Sequence, residues 1–190
     1  MNHSTLLEPY LDDFSQACDE FPVLDLACGE GRNGLFLAQL GIPVVFADIR
    51  KDALHQVAAQ QEIEATKLWQ VDLEPAQGNP LADRQFSAIL VFRYLHRPLL
   101  PAIKAAIRPG GLVIYETFTV EQPKFGRPHN PDFLLKPGEL QQCFADWQTL
   151  NSFEGTVSNN GKEQAIARVV ARKPGMQAGG VCDRCDSLRA

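Results

Sequence analysis

Apolar positions along this chain fall into two rhythms that alternate. Short apolar runs at 22–27, 44–47, about 67–71, 86–92 and 112–117 have the length and composition of strands. The run at 86–92 is apolar apart from Ser87, as expected for a strand covered on both faces. Between the runs the spacing changes to a helical period at 33–40, 51–61 and 98–107. Gly41 with Pro43 stops the first of these helices, and Pro109-Gly110-Gly111 stops the last. Ahead of them, Tyr10, Leu11, Phe14 and Cys18 recur near a period of 3.6, which predicts an amphipathic helix over 9–18. Strand–helix alternation predicts an α/β protein with a parallel, right-handed, doubly wound sheet. The last third departs from this rhythm. A short helix is expected over 137–144, then strands over 147–156 and 164–171 joined by the hairpin signal Ser158-Asn-Asn-Gly161.

A chain of 190 residues that is 45% hydrophobic suits one domain with a real core. We place that domain at 1–173, with an N-terminal helix inside 1–20. After Lys173 the composition turns to glycine, small and polar residues, so 174–190 reads as a flexible tail. A net charge of −5 gives no general pull toward nucleic acid or anionic membrane. The stretch from Arg84 to Tyr115 is locally biased, with five Lys or Arg residues and no acid, which fits a solvated helix face around Lys104 and Arg108. No apolar run approaches the ~20 residues of a membrane span. The first residues lack the pattern of a signal peptide, and the 5 cysteines are unpatterned. A cytoplasmic location with reduced thiols is expected. Cys182-Asp-Arg-Cys185 is a single C-x-x-C without the second pair that zinc needs, so no metal site is expected.

The chemistry concentrates where the first strand turns into the first crossover helix. Asp25 precedes a turn carrying Gly29, Gly31 and Gly34, and the second strand ends at another acid, Asp48. Glycines let a backbone turn sharply and approach a ligand closely. A carboxylate at the end of the second strand suits the two hydroxyls of a ribose, so the pattern points to an adenosine-containing ligand. The glycine spacing also describes NAD and FAD sites. Two acids lean away from a dinucleotide: Glu30 inside the turn repels a pyrophosphate, and Asp25 suits a cationic amino group. S-Adenosyl-L-methionine, with an ammonium, a sulfonium and a ribose but no phosphate, suits both.

These residues resemble the class I S-adenosylmethionine-dependent methyltransferases. Asp-Leu-Ala-Cys-Gly-Glu-Gly at 25–31 is similar to their first motif, and Asp48 to the acid ending their second strand. Val71-Asp72-Leu73 is similar to the adenine-holding segment, and Arg108-Pro-Gly-Gly-Leu-Val-Ile-Tyr115 to the turn into strand five. Gly-Arg-Asn at 31–33 followed by Leu-Phe-Leu-Ala at 35–38 resembles small bacterial methyltransferases related to the tellurite-resistance methyltransferase. The resemblance implies a Rossmann-like seven-stranded sheet, mostly parallel, with a C-terminal antiparallel hairpin strand. It also implies S-adenosylmethionine as cofactor and S-adenosylhomocysteine as product.

Ligands of such sheets bind beyond the carboxyl ends of the strands. The cofactor is expected on Asp25, Ala27, Gly29, Gly31, Arg32, Asn33, Asp48, Ile49, Asp72, Leu73 and Phe92. Arg32 suits the carboxylate of the methionine part. Candidate bases are His96, Tyr94 and Glu116, although thiols, oxyanions and carboxylates often need none. The segment 117–136 is long for a connection and mixes aromatics with cations. It is expected to be an acceptor-side loop, with Arg93, Phe118, Arg127 and His129 as substrate contacts. Phe92-Arg-Tyr-Leu95 stands where amino-directed nucleic-acid methyltransferases carry Asn/Asp-Pro-Pro-Tyr, which argues against an adenine or amide nitrogen as acceptor. The expected partner is a small-molecule acceptor, with the chain a monomer or homodimer. An RNA or protein methyltransferase, a non-catalytic sensor and an NAD-binding module stay as alternatives.

Overall fold

The computed structural model describes residues 3–14, 17, 20–60, 67–159 and 161–175. Its strands are β1 (Val23–Leu26), β2 (Val44–Asp48), β3 (Leu68–Gln70), β4 (Phe86–Phe92), β5 (Ile107–Phe118), β6 (Gln148–Asn159) and β7 (Lys162–Arg172). They form one seven-stranded sheet in the order β3-β2-β1-β4-β5-β7-β6. β1 to β5 are parallel, while β7 runs antiparallel to β5 and β6 antiparallel to β7. The helices are α1 (Leu11–Phe14), α2 (Arg32–Gln39), α3 (Lys51–Gln60), α4 (Leu100–Ala106) and α5 (Glu139–Cys143).

The strand period of two divides the core into two layers. Leu24, Leu26, Ile89, Val91, Val113 and Tyr115 face Ile103 of α4 and Leu140 of α5. Val23, Phe46, Ala88, Leu90 and Ile114 face Leu35 and Leu37 of α2 and Leu54 and Val57 of α3. Leu6, Leu7 and Phe14 from the N-terminal segment pack into this second layer. The sheet reverses its winding between β1 and β4, because β2 and β3 lie on one side of β1 and every later strand lies on the other. That reversal opens a crevice at the carboxyl ends of β1 and β4.

Most elements stand where the hydrophobic pattern places them, and β4 matches it to the residue. Three differ. The N-terminal helix is a 3-10 turn over Thr5–Tyr10 followed by α1, because Pro9 lacks the N–H an α-helical ladder needs there. The Ala17 N–H bonds to the Phe14 carbonyl at 2.9 Å, and the rest of the expected helix, at 15, 16 and 18, lies outside the described residues. β5 begins at Ile107, five residues before its expected start. Ile107 pairs with Phe86 and Leu112 with Ala88, so 108–111 bulge opposite Ser87. Gly110 supplies a φ of +81° within that bulge, and Lys173 closes it by accepting from Gly110 N–H and donating to Gly111 C=O. The hairpin strands are longer than expected and pair out to Asn159 and Lys162. The expected tail from 176 onward, with Cys182 and Cys185, lies outside the described residues.

The loop after β5 is held at both ends. The Gln122 side chain, 3% exposed, donates to the Arg127 carbonyl at 3.1 Å and accepts from the Ala165 N–H at 2.9 Å. Arg97 donates two bonds to the Glu139 carboxylate, at 2.6 and 2.9 Å, and two more to the carbonyls of Asp132 and Leu134. A bidentate guanidinium fixes both distance and orientation. Among the described residues, no helix is long and apolar enough to cross a membrane.

The bulge yields a prediction. A Cβ at Gly111 would lie 2.4 Å from the Ser87 carbonyl oxygen, a backbone atom with little room to retreat. Gly111→Ala is expected to lower unfolding free energy by about 1–3 kcal/mol, the usual cost of overpacking. Urea unfolding of the variant beside the parent measures this, and equal midpoints would contradict it.

Candidate functional site

The turn between β1 and α2 is built from left-handed residues. Ala27, Gly29 and Gly31 have φ of +52°, +54° and +70°. Ala27 pays a steric cost that the glycines avoid, of the kind that concentrates at functional sites. A Cβ at Gly31 would stand 2.7 Å from Val57 Cγ2, so that position needs glycine for packing as well as for φ. Cys28 N–H bonds to the Ala47 carbonyl at 3.0 Å and ties the turn to β2. Burial pushes the Cys28 thiol up, which leaves it protonated and inert.

Three carboxylates end successive strands and do different things. Asp25 is 3% exposed and accepts the Gly34 N–H at 2.9 Å, so it holds α2 from beneath. Burial pushes its pKa up to about 7, against the opposing pull of that N–H and of Arg32. Asp48 accepts the Gly29 N–H on one oxygen and the Arg50 N–H on the other, both at 2.8 Å. A carboxylate has about four acceptor positions, so two stay free for hydroxyl donors. Asp72 is exposed and caps its own turn by accepting the Glu74 N–H at 2.8 Å. Asp48, Asp72, Leu73, Ala27, Ile49 and Tyr94 share one cavity of about 430 Å³. Ile49 is 58% exposed at its mouth, an apolar side chain placed to cover a planar ring.

A second cavity of about 440 Å³, reached by Arg32 at the end of the turn, carries the opposite charge. Arg32 from α2, Arg93 after β4 and Arg168 from β7 line it, with Glu116 from β5. Arg93 is a left-handed residue, φ +60°, whose N–H is bonded to the Glu116 carbonyl at 2.8 Å. Its guanidinium donates to Gln164 at 2.7 Å and lies 4.6 Å from the centre of the Phe118 ring. The enclosed Nε of Arg168 has no hydrogen-bond partner, and its Nη1 stands 4.0 Å from Glu116. Burial raises the pKa of Glu116 even though Arg93 and Arg168 pull the other way, and burial lowers that of Arg93. Three guanidiniums against one carboxylate make a site for an anion.

The expected residues divide between these cavities. Ala27, Asp48, Ile49, Asp72 and Leu73 meet in the first, and Arg32, Arg93 and Glu116 in the second. Gly29 and Gly31 form the turn between them, and Phe92 is half-buried in the layer beneath. The three candidate bases do not converge. Tyr94 lies on the Asp48 side, where burial and the Glu74 charge raise the phenol pKa far from neutrality. His96 stands with Nδ1 3.6 Å from Glu74 Oε2. Glu116 alone of the three lines the arginine cavity. Arg127 borders an adjoining groove with Lys162 and Gln164, and His129 is exposed on the same loop. Glu30 is exposed, so solvent screens its repulsion and its case against a pyrophosphate is weaker than the sequence suggests.

Arg168, Gln164 and the N-terminal residues His3, Ser4 and Thr5 also line the second cavity and were not expected there. Strand alternation carries a signal for two of them. Gln164, Ile166 and Arg168 occupy every second position of β7 and so share one face.

A family model described as tellurite resistance protein TehB matches residues 12–168. A probable S-adenosyl-L-methionine-dependent methyltransferase TehB of Haemophilus influenzae is 27% identical over 188 residues, covering 90% of this chain and 64% of that protein. Hemagglutinin 1 of Eikenella corrodens is 32% identical over 170 residues, covering 80% of this chain and 54% of that protein. The chain therefore spans between half and two thirds of the length of these relatives. The crystal structure of TehB from Haemophilus influenzae matches with a TM-score of 0.65 at 19% identity, over 90% of this chain and 63% of that one. The N-methyltransferase NodS from Bradyrhizobium japonicum matches with a TM-score of 0.64 at 14% identity, over 90% and 93%. At these identities the likeness establishes a Rossmann-like methyltransferase fold.

Asp25 generates a prediction with a definite sign. Its folded pKa, about 7, lies above the ordinary 3.8, so the folded state favours the neutral acid. The stabilisation is full below the unfolded pKa and is lost as pH rises through the folded one. Asp25→Asn stays neutral and can still accept the Gly34 N–H. Its melting temperature, relative to the parent, is expected to rise between pH 5 and 8. An offset that stays constant across that range would contradict the assignment.

Proposed function

The chain belongs to the tellurite resistance protein TehB family, and on that premise we propose that it is an S-adenosyl-L-methionine-dependent methyltransferase of a small anionic acceptor. One observation carries the reading: the glycine turn joins two cavities of opposite charge, with Ala27 at its start lining one beside Asp48 and Asp72, and Arg32 at its end lining the other beside Arg93 and Arg168. The donor set fits the cofactor. Asp48 has acceptor positions for the ribose hydroxyls, Ile49 and Leu73 offer apolar surface to adenine, and a Cβ at Gly29 would meet nothing within 4 Å, so the backbone there is bare toward the ligand. Arg32, in the first turn of α2, is placed for the carboxylate of the methionine part.

When bound, S-adenosylmethionine supplies a methyl group on a positively charged sulfur. The residues of this chain then have three tasks. Arg93 and Arg168 attract and orient the anion, with Glu116 and Gln164 fixing where the guanidiniums point. Phe118 shields one face of Arg93 from water and so strengthens its pull. Holding the two reactants together in line contributes about 7–11 kcal/mol to the lowering of the barrier. An acceptor that arrives as an anion already has its lone pair, so the scatter of Tyr94, His96 and Glu116 across the site is no obstacle.

Two measurements test this reading. Incubation with S-adenosylmethionine and a panel of selenite, tellurite and small carboxylates is expected to release S-adenosylhomocysteine with at least one of them. Release with none of the anions, but with a neutral amine or an RNA, would move the function elsewhere. Among variants, Asp48→Ala is expected to weaken cofactor binding several-fold to a few hundred-fold, from lost charge-assisted bonds of about 1.5–3 kcal/mol. Arg93→Ala is expected to raise the acceptor KM while cofactor affinity stays nearly constant. Calorimetry showing unchanged affinity in folded Asp48→Ala would contradict the assignment of the ribose.

A further inference from the structure

The arginine cavity has a wall that the methyltransferase reading does not use. His3, Ser4 and Thr5 line it opposite Arg93 and Arg168, although they lie far from both in sequence. The His3 ring lies flat on Phe36 of α2, centroids 3.5 Å apart and planes within 2°. The Ser4 N–H donates to Asn33 Oδ1 at 2.9 Å, and Asn33 is only 3% exposed. Past these residues the segment is anchored by Leu6, 8% exposed, and Leu7, fully buried. The wall is thus fixed below by apolar burial, and across to α2 by one stacked ring and one backbone hydrogen bond.

Its position limits what the cavity admits. About 440 Å³ has to hold an acceptor and, beside Arg32, the amino-acid end of the cofactor. The boundary formed by residues 3–5 therefore sets how much of that space an acceptor can use. The latch is on α2, one residue after Arg32, so the wall is referenced to the element that also carries the cofactor turn. Swinging the wall out would exchange the Ser4–Asn33 hydrogen bond for one to water and strip Phe36 of the stacked His3 ring. We propose that His3, Ser4 and Thr5 are a specificity-determining wall of the acceptor pocket, latched to Asn33, which sets how large an anion the pocket admits. The inference rests on the reading of this cavity as the acceptor site.

Ser4 permits a clean test. Its φ of −75° and ψ of 124° lie in the range proline adopts. Ser4→Pro removes the N–H that bonds Asn33 together with the hydroxyl that accepts from Leu6, whereas Ser4→Ala removes the hydroxyl alone. Binding of selenite, benzoate and 2-naphthoate is measured by calorimetry on the full chain saturated with S-adenosylhomocysteine. Ser4→Ala is expected to keep the parent's preference between selenite and 2-naphthoate, and Ser4→Pro to shift that preference toward 2-naphthoate by about tenfold. An identical preference in all three proteins would overturn the wall, as would a parent that binds none of the anions. Failure of S-adenosylhomocysteine itself to bind would instead overturn the methyltransferase reading, so the two failures are distinct.

Discussion

At Gly34 a Cβ would stand 2.5 Å from the Phe46 ring and 2.8 Å from Asp25 Oδ2, closer than real side chains come. The start of α2 therefore lies directly against β1 and β2, and the rest of the site follows from that closeness. It lets the Gly34 N–H reach the Asp25 carboxylate, and it forces the preceding turn into left-handed geometry at Gly29 and Gly31. It points Arg32 and Asn33 to one side of the turn while Asp48 holds Gly29 from the other. The cost is a buried carboxyl group that ionises reluctantly.

The charges around the turn are sorted. Carboxylates collect where the sheet presents β1, β2 and the segment after β3, and guanidiniums where β4 and β5 end beside the antiparallel β7. The antiparallel hairpin is what makes the second half possible. Pairing β7 with β5 sets Arg168 opposite Glu116, and Gln164 reaches back to Arg93. Gln122 and Arg97 then hold the long loop after β5 against the same edge. A cation-bearing cofactor half and an anion-bearing acceptor half suit a reaction in which a sulfonium loses its charge.

Elements buried on both faces were legible because burial leaves a pattern that composition alone carries. β4 is the plainest case, a run of apolar residues whose ends coincide with the strand. The first cavity was also legible, since glycines and strand-end acids lie close together in sequence. The second was only half visible. Arg93 and Glu116 stand at the ends of apolar strands and draw notice, whereas Arg168 is one cation within the apolar stretch 165–171, and what it faces is set only when β7 is paired. His3 to Thr5 have no periodicity to betray them, and their place depends on a contact made with residue 33. The Pro-Gly-Gly segment before Leu112 misled in the other direction. Its residues are turn formers, yet pairing on both sides absorbs them into β5 as a bulge.

A crystal structure of the full chain with S-adenosylhomocysteine and selenite tests the central claim most directly. The account predicts ribose hydroxyls on Asp48, the amino-acid carboxylate at Arg32, and the thioether sulfur facing an oxyanion held between Arg93 and Arg168. A nucleoside seated away from Asp48, or a sulfur turned away from the arginines, would contradict it.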